Sequence, residues 1–126
     1  AAETEIGEEE ILQRARIIEE TLSAFGVPAK VVEANRGPAV TQYGVQPGYI
    51  ERTDRKTGEI KRTKIKVAKI QSLSKDLALA LSAAPIRIEA PIPGRALVGV
   101  EVPNRVTSTV SLRSMLESEQ FRQKKG

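Results

Sequence analysis

Apolar and polar positions alternate along this chain with two distinct periods. From Glu8 onward, Ile11, Ala15, Ile18, Leu22 and Phe25 recur at spacings of four and three, which predicts an amphipathic helix. Glu8, Glu9 and Glu10 fall in its first turn, where the helix dipole favours negative charge, and Gly26-Val27-Pro28 supplies a stop. That structural role accounts for the Glu cluster ahead of any metal or acid–base reading. After Pro28 the period drops to two. Residues 30–34 and 40–45 read as strands separated by the turn cluster Asn35-Arg36-Gly37-Pro38, and Pro47-Gly48 interrupts the second. Arg36 beside Gly37 also has a phosphate-binding reading, which turn geometry precedes.

Residues 49–53 and 59–67 alternate again, with Gly58 available for a left-handed turn position between them. This predicts a β-ribbon whose second arm continues as a strand up to Ile70. Its cations Lys61, Arg62, Lys64 and Lys66 fall partly on one face. Two readings stay open for them: lysines guarding a sheet edge against unwanted pairing, or contacts to a phosphate backbone. Residues 72–84 predict a second helix, with Ser74 as cap, Asp76 in its opening turn, and Leu73, Leu77, Ala80, Leu81 and Ala84 as apolar face. Its apolar content implies burial on more than one side. Pro85 ends it, and two alternating runs, 86–89 and 97–102, then flank a turn built from Pro91, Pro93 and Gly94. Pro103-Asn104 closes this hairpin. A short helix at 111–119 places Leu112, Met115 and Leu116 on one side.

The pattern predicts an α+β fold, with a mainly antiparallel or mixed sheet covered by two main helices and a basic β-ribbon insertion. Residues 1–7 read as a flexible linker, 8–119 as one domain, and 120–126 as a flexible tail.

Composition narrows the chemistry. The chain of 126 residues is 40% hydrophobic, enough for one core, and its scarce aromatics leave that core to Val, Ile, Leu and Ala. It has no cysteine and no histidine, so disulfides, thiolates, imidazole metal ligands and the commonest acid–base group near neutral pH are all missing. No apolar run approaches a membrane span, and the N-terminus lacks the regions of a signal peptide. There is no G-x-x-x-x-G-K-[ST] loop, no G-x-G-x-x-G, and no nucleophile with a histidine base. The net charge of +4 is unevenly spread. Residues 1–20 hold seven Glu against two Arg, a net of −5, while 51–69 hold eight Lys or Arg against three acids, a net of +5. No aromatics interleave with these cations, which disfavours single-strand or RNA recognition by stacking.

Four stretches carry a resemblance. Arg87-Ile88-Glu89-Ala90-Pro91-Ile92-Pro93-Gly94 and the run on to Asn104 resemble the R-I-x-A-P-I-P-G-x-x-x-x-G-x-E-x-P-N signature upstream of the motor in the FtsK/SpoIIIE family of bacterial DNA translocases. Gly37-Pro38-Ala39-Val40-Thr41-Gln42-Tyr43 is similar to the family's G-P-x-V-T-x-Y element. Lys69-Ile70-Gln71-Ser72-Leu73 with Asp76-Leu77-Ala78-Leu79-Ala80-Leu81 is similar to K-I-x-x-L-x-x-D-x-A-L-A-L, and 110–116 to its V-x-L-R-x-x-L close. The matches stand in family order. The ribbon from Tyr49 to about Lys64 departs from the shorter family pattern.

The resemblance implies a non-catalytic α subdomain, one tier of a homohexameric ring on double-stranded DNA. ATP and Mg²⁺ would then belong to a RecA-like motor domain of the same chain, with no cofactor held here. The family context is chromosome segregation in division or sporulation, by a parent anchored in the cell membrane through a missing N-terminal region. This part would be cytoplasmic and free of membrane contact. Candidate DNA-backbone contacts are Arg52, Arg55, Lys56, Lys61, Arg62, Lys64 and Lys66; candidate subunit contacts are Arg36, Pro91, Pro93, Gly94 and Arg95. The rival reading is an adaptor that docks motor subunits through the ribbon or the Pro91 loop without touching DNA.

Overall fold

The computed structural model describes residues 7–104, so the expected helix at 111–119 and the tail lie outside the described residues. Helix α1, Glu8–Ala24, begins after Gly7 with three glutamates in its first turn. It ends in a paired-bond stop: Val27 donates to the Leu22 carbonyl at 2.8 Å and Gly26 to that of Ser23 at 3.0 Å, with Gly26 at φ +77. Ile18 and Leu22 are fully buried, and Ile11 and Ala15 are half-buried. Phe25, expected as the last residue of the apolar stripe, lies beyond the final helical turn and is exposed.

Four strands form one sheet in the order β1-β2-β6-β5, antiparallel at every pairing. They are β1, Ala29–Arg36; β2, Val40–Pro47; β5, Arg87–Glu89; and β6, Val98–Pro103. The hairpin expected from 86–89 and 97–102 forms as β5 on β6, with Ile88 opposite Val100. Period-two alternation decides the two faces. Thr41, Tyr43, Val45, Val98, Val100 and Val102 are buried on one side, in a core shared with α1 and α3 (Ser74–Leu81). At roughly 1.5–3 kcal/mol for each large aliphatic side chain taken from water, this face supplies most of the drive to fold.

The other face is covered in part, and Gly44 and Gly99 at its centre are buried. Glu33, Gly44, Gly99 and Glu89 align in one row across the four strands. A Cβ on Gly44 would lie 2.6 Å from Cγ of Glu33, and one on Gly99 would lie 3.1 Å from Cγ1 of Ile92. The two glycines therefore let Glu33 and the β5–β6 loop settle directly onto the sheet.

Both edges of the sheet are guarded. Strand β1 carries a bulge between Val31 and Glu33, and the Val31 amide donates to Glu19 Oε2 at 2.7 Å. Strand β5 is only three residues long.

Two expectations are corrected between Lys64 and Pro85. The ribbon's second arm stops as β4, Ile60–Lys64, and α2, Val67–Gln71, follows where a continuing strand was expected. The cause is Ile65, whose burial in the core pulls the chain inward at the ribbon's base. Residues 72–84 do not form one helix either: α3 begins at Ser74 after α2 has closed on Ser72. Ser74 is thus the first helical residue and not the cap, a position held by Leu73, and the Ser72 hydroxyl donates backward to the Lys69 carbonyl at 2.6 Å. Helix α3 closes on Ser82 in the left-handed conformation. Leu73, Leu77 and Leu81 are buried, but Leu79 is 83% exposed and Ala80 and Ala84 face solvent, so within this chain the helix is buried on one side only.

Candidate nucleic-acid interface

The ribbon is a separate two-stranded sheet, β3, Tyr49–Thr53, on β4. Its turn is closed by reciprocal backbone bonds, Asp54 to Glu59 and Gly58 to Asp54, both 2.8 Å, with Gly58 in the expected left-handed conformation at φ +74. The register places Tyr49 opposite Lys64, Ile50 opposite Thr63, Glu51 opposite Arg62, Arg52 opposite Lys61, and Thr53 opposite Ile60. Directly opposed residues share a face. One face therefore carries Ile50, Thr63, Arg52 and Lys61; the other carries Tyr49, Lys64, Glu51, Arg62, Thr53 and Ile60.

This register divides the cations that the sequence grouped together. Arg62 and Lys64 share a face, Lys61 lies on the opposite one beside Arg52, Arg55 and Lys56 occupy the exposed tip, and Lys66 sits beyond the strand as the residue before α2. Arg62 is drawn into an ion pair with Glu51 at 3.1 Å, both exposed, a contact worth at most about 1 kcal/mol. Arg52 and Lys61 face one another without such a partner among the described residues. Like charges directly across a sheet repel, and an anion between them relieves that repulsion.

Four of the five candidate subunit contacts share the β5–β6 loop, and Arg36 lies apart from them. Arg36 reaches Glu8 of α1 at 3.5 Å on the helix side of the sheet. Arg95 pairs with Glu33 on the other face, and Pro91, Pro93 and Gly94 lie exposed on the same loop, Gly94 at φ +73. Both arginines are thus engaged inside the chain.

Sequence reasoning missed the joint between the two proline-glycine motifs. The Asn104 side chain donates to the Gly37 carbonyl at 2.8 Å and accepts from the Thr41 hydroxyl at 2.7 Å, while its backbone amide donates to Ala39 at 2.8 Å. Arg14, three residues after Ile11 and four before Ile18 on the same helical face, is buried and donates to the Pro103 carbonyl at 3.0 Å. Beside it the Tyr43 hydroxyl is pushed up to about 12 by burial, an effect that Arg14 partly opposes and Glu10 reinforces. Tyr43 therefore stays neutral at physiological pH. A Pro-Asn pair and an arginine on the apolar face of α1 were visible in the sequence, but their meeting depends on β6 lying beside β2. Among the described residues no group of His, Cys, Asp or Glu is placed to hold a metal ion.

These features define a small α+β domain from which a two-stranded ribbon carrying a cluster of exposed cations projects. The chain belongs to the FtsK alpha domain family, whose profile matches residues 1–104. It is 51% identical over 110 residues to a DNA translocase FtsK of Bacillus cereus, covering 87% of this chain and 12% of that protein. It is 44% identical over 117 residues to a DNA translocase FtsK of Caldanaerobacter subterraneus subsp. tengcongensis, covering 93% and 14%. A Staphylococcus aureus DNA translocase FtsK is 46% identical over 110 residues, covering 87% and 12%. The chain thus spans about an eighth of the length of these relatives. Among the described residues no helix is long and apolar enough to cross a membrane.

Proposed function

We propose that this chain is the non-catalytic α domain of an ATP-driven translocase of double-stranded DNA, one tier of a homohexameric ring that serves chromosome segregation. ATP and Mg²⁺ belong to a RecA-like motor domain continuing the same polypeptide, and a membrane anchor precedes it. The relatives' name, DNA translocase FtsK, supports the class of substrate. The observation that carries a DNA role for the chain itself is the unneutralised Arg52–Lys61 pair on one ribbon face. Two cations held side by side on a projecting arm suit the phosphate backbone of a duplex, which they grip without reading sequence.

Titration of a fluorescent duplex at low salt tests this. The wild-type chain binds weakly and independently of sequence, and each phosphate contact contributes about 0.9 to the slope of log affinity against log salt. Arg52→Ala with Lys61→Ala lowers both affinity and slope, whereas Arg62→Ala, already paired to Glu51, changes them less. Equal binding by all three proteins removes the DNA role. The adaptor reading predicts no duplex affinity at any salt.

A further inference from the structure

One flank of α3 is apolar and uncovered among the described residues. Leu79 stands almost wholly exposed in the last turn, and Ala80, Ala84 and Pro85 continue the exposed patch toward β5, with Ala83 half-buried among them. Single exposed side chains need no partner, whereas contiguous apolar residues mark a contact. Lys75 and Asp76, one turn before Leu79, cancel one another, and Arg87 follows only at the start of β5. The patch therefore selects an apolar partner, with charge playing little part.

The chain leaves the described residues beside this patch. Strand β5 pairs with β6 from Glu89 opposite Gly99 to Arg87 opposite Glu101, so continuing the register by two residues brings Pro85 level with Pro103. The exit is held in place there: the Asn104 side chain bonds Gly37 and Thr41, and Arg14 holds the Pro103 carbonyl. The sequence then runs R-V-T-S-T-V-S-L-R-S-M-L over 105–116, and its spacing puts Leu112, Met115 and Leu116 on one side. A helix as short as the one this pattern predicts draws its stability from packing on a neighbour. The eight residues 105–112 reach up to about 26 Å, against the roughly 10–12 Å thickness of one helix, so the apolar side can pass over α3.

We infer that Leu112, Met115 and Leu116 pack on the Leu79 flank of α3, so that the stretch beyond Asn104 folds back over this domain. Helix α3 is then buried on both sides, as the run Leu77-Ala78-Leu79-Ala80-Leu81 demands. Polypeptide continuing past Leu116 is thereby carried on the body of the domain and turns with it. The contact needs neither DNA nor a ring, so it stands apart from the proposed function.

The chain has no cysteine, so a disulfide introduced at the contact is read without background. Leu79→Cys with Met115→Cys, oxidised in the 126-residue chain at low concentration, closes an intramolecular disulfide about tenfold faster than Leu12→Cys with Met115→Cys. Leu12 is likewise exposed, but on the flank of α1 that Glu8 and Glu19 turn toward β1, at the opposite edge of the sheet from β5. In the same chain Leu79→Gln and Leu116→Gln each lower Tm by about 4 °C or more, and together by no more than either alone, because each removes the same contact. Equal closure by the two cysteine pairs, or glutamine substitutions whose effects are nil or add in full, overturns the inference. Disulfides that join two chains assign the flank to a second copy and overturn it as well. None of these results bears on the duplex titration.

Discussion

In the four-stranded sheet every strand turns one row of side chains into a core closed by α1 and α3, whereas in the ribbon nine of ten strand positions face solvent. Both regions are antiparallel hairpins, yet they put alternation to opposite uses. In the sheet, period two separates a buried Val, Thr and Tyr face from one that Glu33 and the β5–β6 loop cover in part. In the ribbon it separates two polar faces of different charge: a neutralised Glu51–Arg62 pair on one and an uncompensated Arg52–Lys61 pair on the other. An isolated two-stranded hairpin is marginal in water, so the ribbon depends on its base, where Ile50 packs against the core and Ile65 is buried in it. The sheet stabilises the molecule, and the ribbon is left free to carry charge.

The largest test of this contrast is on the core side. Leu77→Ala removes a fully buried side chain of α3 and is expected to cost about 2–5 kcal/mol in denaturant unfolding. Ile60→Ala on the ribbon provides the opposite extreme, a change within about 0.5 kcal/mol in the same assay. Next in size comes Asn104→Ala, which strips the bonds to Gly37 and Thr41 and should cost about 1–3 kcal/mol. Hydrogen exchange would then show faster opening of the β1–β2 turn while the ribbon's rates stay unchanged.

A pH series sharpens the core side further. The folded state holds the Tyr43 hydroxyl at about 12 against an ordinary value of 10.0, so it favours the neutral form. Its contribution is fully present below pH 10 and is lost as pH rises toward about 12. Tyr43→Phe should flatten that part of the stability curve. A further expected effect is a gain: Ser82→Gly relieves a left-handed non-glycine residue at the end of α3 and should raise stability by about 1 kcal/mol, read as an upward shift in Tm.

Much of the contrast was legible in the residue pattern. The period of Ile11, Ala15, Ile18 and Leu22 sets α1, the proline and glycine punctuation marks both hairpins, and Asp54 to Gly58 locates the ribbon turn. Local patterns failed where distant segments meet. Val67 alternates correctly for a strand, but burial of Ile65 redirects the chain into α2. Arg14 falls on the apolar face of α1 by spacing, but its partner, the Pro103 carbonyl, comes beside it only once β6 is in the sheet. The glycine row from Gly44 to Gly99 exists only once β2 and β6 are paired. On the ribbon, the seven candidate cations were all visible, but their sorting into paired, facing and terminal positions required the cross-strand register.

The most direct measurement replaces residues 51–62 with Asn-Gly, a two-residue turn joining Ile50 to Thr63, and records thermal unfolding and duplex binding on the same protein. The account predicts a Tm within a few degrees of the wild type, with duplex affinity lost at low salt. A trimmed chain that unfolds as readily as Leu77→Ala, or that binds duplex as well as the wild type, would contradict the division between a stabilising sheet and a charge-bearing ribbon.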